Sequence, residues 1–149
     1  MPEFRYARGR IVDSIRYLSE EMREFQEDYA DRSWLDYQKE KKLQKLIDRT
    51  VENILTALIE ISGAFLTSEG IAADSYGDAL KKAAGLLGLS ETEQSDLAGL
   101  SLLRNRLAHR YLNFRWQTVR AFSEKRALIA RVAELLLKRE QLSEKNKKR

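Results

Sequence analysis

Residues 33–66 read SWLDYQKEKKLQKLIDRTVENILTALIEISGAFL, and this stretch decides the fold. Trp34, Tyr37, Leu43, Leu46, Ile47, Val51, Ile54, Leu55, Leu58, Ile61 and Phe65 recur at helical spacing, with no strand-like alternation. Ser33 is placed to cap the helix, and Asp36 three residues on makes a weak capping box. The only proline in the chain is Pro2, so nothing in the body forbids long helices. The spacing predicts one helix of roughly 33 residues, or about 50 Å at 1.5 Å per residue. That is longer than a small monomeric bundle requires. The apolar stripe also widens towards Ile61, which points to a partner along part of its face.

Helical spacing continues on both sides. Ile11, Ile15, Leu18, Met22, Phe25 and Tyr29 mark a first helix from about Arg8 to Asp31. Gly70 breaks the chain, and Asp74 or Ser75 opens a short third helix to Leu87, which Gly85 and Gly88 loosen and end. Ser90-Glu91-Thr92-Glu93 is a capping box for a fourth helix, whose inner face is Leu97, Leu100, Leu103 and Leu107. A fifth runs from about Phe114 to Arg139. The expectation is an all-α, antiparallel up-and-down bundle of about five helices joined by short loops. It occupies residues 1–138 and is followed by a lysine-rich, frayed or disordered tail at 139–149.

The 149 residues are 43% hydrophobic and 34% charged, which suits a single helix-rich domain with a sizeable core. With no cysteine and one histidine, a disulfide framework is excluded and a dedicated zinc site is disfavoured. The charged start Met1-Pro2-Glu3-Phe4-Arg5 has no apolar core of a leader peptide, and no apolar run approaches the ~18 residues of a membrane span. A cytoplasmic protein without membrane contact is expected. The net charge of +4 resides in the tail: Lys138 to Arg149 holds six basic and two acidic residues, and the rest balances. Inside the body, however, Leu97 to Ser123 contains five arginines and no Asp or Glu.

That cationic stretch includes Arg104-Asn105-Arg106-Leu107-Ala108-His109-Arg110-Tyr111, which carries the sole histidine. Histidine alone exchanges protons near neutral pH with an unperturbed pKa, and the guanidinium groups around it suit an anionic ligand. On a regular helix Arg104 and Tyr111 would lie about 20° apart, and His109 about 140° from Arg104. To bring His109 and Arg104 onto one phosphate, the helix must end near Ala108 and turn His109 inward, or two chains must meet. Metal-free RNA cleavage needs a base for the 2′-hydroxyl and an acid for the leaving 5′-oxygen. One chain has one imidazole, whereas a symmetric dimer offers two. The arginines would stabilise charge building on the phosphate, and Asn105 could orient Arg104 or a sugar hydroxyl. An ordinary, partly buried histidine is the competing reading.

Arg104, Asn105, His109, Arg110 and Tyr111 fit the pattern R-x4-H-x-Y. With the helix order and length over roughly residues 8–138, the chain resembles HepT-like HEPN proteins, the minimal ribonuclease toxins that dimerise through their motif helices. The resemblance implies a metal-independent endoribonuclease toxin that needs no cofactor, with Arg104 and His109 as catalytic pair. It also implies a cognate antitoxin, an MNT-type nucleotidyltransferase that transfers AMP from ATP onto Tyr111. The added phosphodiester and base would repel and block RNA. Tyr111 should then be exposed; the competing role is an aromatic that seals the bundle end.

Arg106, Arg110, Arg115 and Trp116 go beyond the motif. With Phe114 they suit a stacking and phosphate-contact platform for single-stranded RNA, although Trp116 fits the helix core equally well. The tail reads as a solubilising end in preference to an RNA anchor. Two other functions compete: a non-catalytic nucleotide- or RNA-binding module or accessory subunit of a nucleotidyltransferase, and a purely structural helical oligomer.

Overall fold

The computed structural model describes residues 8–147, which contain seven α-helices and no strand. The leader reading of Met1 to Arg5 and the last two tail residues lie outside that range. Helix α1 (Arg8–Glu24) passes into a π-helical turn over Phe25–Tyr29, closed where the Ala30 N–H donates to Phe25 O at 2.8 Å. The chain leaves the helical path just past Tyr29, close to the expected end at Asp31.

The stretch expected as one long helix is two: α2 (Trp34–Lys39) and α3 (Lys41–Ser68). Ser33 caps α2 through a reciprocal box with Asp36, as its sequence implied. The break falls at Glu40, which is extended at φ −112°, ψ 103°. Its cause is tertiary. Tyr37 is fully buried and its hydroxyl donates to Asp48 Oδ1 at 2.6 Å. On a straight helix those residues would stand about 16 Å apart along the axis, so the contact requires the chain to fold back.

The 28-residue α3 is the axis of the bundle, packed by α1 and α4 (Tyr76–Leu86) and also by α2, α5 (Glu91–Arg106), α6 (Leu112–Glu124) and α7 (Arg126–Lys147). Its widening apolar stripe, with Ile54, Leu55, Leu58, Ile61, Phe65 and Leu66 all buried, is covered within the chain. The length and stripe of this helix therefore no longer argue for a partner. Contrary to the expectation from sequence, α3 also has the length and mean hydropathy (1.2) of a membrane span. Since 72% of that window is buried, its apolar character belongs to the bundle core.

Both helix-ending glycines work as expected. Gly70 and Gly88 adopt φ of +72° and +82°. Each sets up a Schellman closure, in which Ile71 N–H reaches Leu66 O and Leu89 N–H reaches Ala84 O. Ser75 caps α4, and Ser90 with Glu93 forms the capping box of α5.

The expected fifth helix is divided at Lys125 into α6 and α7. Phe122, fully buried, meets Phe25 edge-on at 5.0 Å; beside it Lys125 pairs with Asp96 and Arg126 reaches Ser123 O and Gln26. Helix α7 continues to Lys147, so the segment read as a frayed tail is helical that far. Arg139 donates to Leu86 O at 2.8 Å, and Glu140 is buried.

Candidate functional site

Helix α5 stops at Arg106 for a reason visible in its sequence. Leu97, Leu100, Leu103 and Leu107 are buried, but the next inward positions, Arg110 and Tyr111, carry a charge and a hydroxyl at their tips and are exposed, so the aliphatic face ends there. The last turn tightens, with Ala108 N–H donating to Asn105 O and His109 N–H to Arg106 O. Leu112 then starts α6. Between the two helices, Ala108, His109, Arg110 and Tyr111 form an exposed turn.

This geometry corrects the helical-wheel argument. Arg104 and Tyr111 do not share one helix, so the 20° relation between them does not hold, and His109 is turned outward rather than inward. His109 instead sits between two aromatic rings, 4.9 Å from Tyr111 and 4.8 Å from Phe114. The Tyr111 backbone N–H donates to His109 Nδ1 at 3.4 Å. With Nδ1 facing that N–H, Nε2 is the ring nitrogen left for a ligand.

Two guanidinium groups flank the turn. Arg106 lies over the Phe114 ring at 5.8 Å and Arg110 over the Tyr111 ring at 5.3 Å, its Nη2 3.5 Å from the tyrosine hydroxyl. Tyr111 is 54% exposed, which meets the requirement for a modifiable side chain and rules out a buried plug. Arg104 stands apart, half-buried on the α4 side of α5, with its guanidinium 5.6 Å from the ring of Tyr76. Asn105 is exposed on α5.

Arg115 and Trp116 are placed elsewhere. Arg115 Nη1 makes a 2.6 Å ion pair with Asp48, the carboxylate that also receives the Tyr37 hydroxyl. Burial pushes the Asp48 carboxyl up, and its bonds from Tyr37 and Arg115 oppose that. Burial likewise pushes the Tyr37 hydroxyl up, which keeps it a donor. Trp116 packs on Tyr37 at 5.0 Å and Trp34 at 6.3 Å. These two residues join α2, α3 and α6, and the structure does not bring them into the His109 cluster.

Phe114, which the sequence places in the expected stacking platform, is in ring contact with His109. The participant that the sequence does not reveal is Tyr76. Tyr76 lies 28 positions before Arg104 on another helix, and no spacing rule could have linked them.

No curated protein matches the chain at a significant level. The profile of the family described as ribonuclease HepT-like matches residues 18–135, which spans the bundle from α1 to α7 and the whole Arg104–Tyr111 motif. Fold, motif and match agree: this chain belongs to the HepT-like ribonuclease family of HEPN proteins.

Proposed function

We propose that the chain is a metal-independent endoribonuclease toxin whose active site is completed by a second copy of itself. The observation that carries this reading is the break after Arg106, which presents the sole imidazole to solvent among arginines, in a stretch that holds no carboxylate. A base at the site takes the 2′-hydroxyl proton, and the 2′-oxygen attacks phosphorus. The P–O5′ bond breaks and an acid protonates the 5′-oxygen, leaving a 2′,3′-cyclic phosphate and a 5′-hydroxyl. The two His109 side chains of a symmetric dimer would divide those proton transfers. Arg104 would bind the phosphate as negative charge builds on it. One imidazole ringed by cations is a poor donor set for Mg²⁺ or Ca²⁺, which favour oxygen ligands. The uncapped N-terminus of α6, with no acid in its first turn, adds to the positive field.

The dimer is supported by the outer face of α5. Gly99, Leu102, Asn105 and Arg106 lie along it in helical register, Leu102 is 58% exposed, and beyond the adjoining turns of α5 itself nothing lies within 4 Å of where a Gly99 side chain would begin. Docking there would bring two motif turns together. An MNT-type nucleotidyltransferase would silence the enzyme by adding AMP to the exposed Tyr111 hydroxyl. Expression of the wild-type chain should arrest growth, and the purified protein should cut single-stranded RNA in EDTA. The His109→Ala variant should do neither. If that variant cuts RNA as fast as the wild type, the reading is wrong. Co-expression with the nucleotidyltransferase should add AMP mass to the wild type and none to Tyr111→Phe.

A further inference from the structure

We infer that Tyr76 is a positioning residue for Arg104, holding its guanidinium over the ring and so fixing where a phosphate is received. The inference rests on the reading that Arg104 acts on the phosphate. Tyr76 opens α4, and its ring is 5.6 Å from the Arg104 guanidinium carbon, within the range of a cation–π contact. Packing between the two helices sets that distance. Gly77 lies so close to α5 that a Cβ there would stand 3.1 Å from Ser101 Oγ and 3.3 Å from Ala98 O. Ala98, Ser101 and Arg104 recur every three residues along one side of α5, so seating Gly77 on the first two delivers Tyr76 to the third.

Ser75 and Asp78 fix the same end of α4. Ser75 caps it by accepting from Asp78 N–H, and the Asp78 carboxylate accepts from Asp74 N–H. Tyr76 therefore projects from a braced helix start. Arg104 has several rotatable bonds, and a ring face that selects one orientation saves the entropy of ordering them when the phosphate arrives. Tyr76 is 45% exposed and outside the core, so replacing it leaves the fold intact.

The test uses the full chain with Tyr76→Leu and Tyr76→Phe. Tyr76→Leu removes the ring face, and cleavage should fall about tenfold in kcat with little change in KM or in unfolding temperature. Tyr76→Phe keeps the face and should restore most of the rate. Independently of activity, the Arg104 side-chain Nε–H resonance should shift in Tyr76→Leu and stay near its wild-type position in Tyr76→Phe. Wild-type cleavage by Tyr76→Leu with an unmoved Arg104 resonance overturns the inference and leaves the ribonuclease reading standing. If the wild type cuts no RNA, that reading falls. The positioning role, which rests on it, then falls with it.

Discussion

At the scale of single residues, the five arginines of the acid-free stretch have different fates. Arg106 and Arg110 are exposed and lie over aromatic rings beside His109, whereas Arg115 is turned in against Asp48. Arg115→Met leaves a carboxylate largely buried with only Tyr37 to satisfy it. It should cost about 2–3 kcal/mol, below the usual value for a fully buried pair because some solvent reaches this one. Urea unfolding measures this directly. Arg106→Met, on the surface, should stay within about 0.5 kcal/mol of wild-type stability and lose cleavage instead. An Arg115→Met protein as stable as wild type would show that the ion pair contributes nothing. The sequence made the cluster of positive charge legible. It could not tell inward from outward arginines, because Asp48 lies 67 positions away and reaches Arg115 only through the fold.

At the scale of helices, starts and stops written in short-range chemistry were legible: the serine caps at 33, 75 and 90, and the left-handed glycines at 70 and 88. The breaks at Glu40 and Lys125 were not, since neither residue is a helix breaker. The Tyr37–Asp48 bond and the Phe25–Phe122 contact impose a bend there that no local propensity encodes. The α5 cap provides a pH test. The Ser90 backbone N–H, then its hydroxyl, holds the Glu93 carboxyl below its ordinary value of 4.5. A carboxyl lowered in the folded state contributes stability above the unfolded value and loses it as pH falls through the folded one. Thermal unfolding should therefore find wild type more stable than Glu93→Gln above about pH 5, with the gap closing as pH falls below the ordinary glutamate value. A gap constant from pH 6 to pH 3 would contradict the cap's charge dependence. Ser90→Ala should cost about 1 kcal/mol.

At the scale of the whole molecule, an all-α bundle was legible because periodic apolar positions fix which faces turn inward. What covers each face was not. The stripe on α3 points, by sequence, to a partner along part of its face and is instead the centre of the core. Among the exposed apolar side chains of the described residues, Leu102 on α5 stands on the helix that leads into the motif. Leu102→Glu should yield a monomer by light scattering, with wild-type helicity and no RNA cleavage; a dimer that still cuts would move the interface elsewhere. The central claim is that the Arg104–Tyr111 stretch forms half of a site. Mixed dimers of wild-type and His109→Ala subunits test it most directly. At equal proportions, a site that needs both imidazoles predicts cleavage at about a quarter of the all-wild-type rate, because only dimers with two wild-type chains work. A rate near one half would show that one imidazole suffices for each site, and would contradict the account.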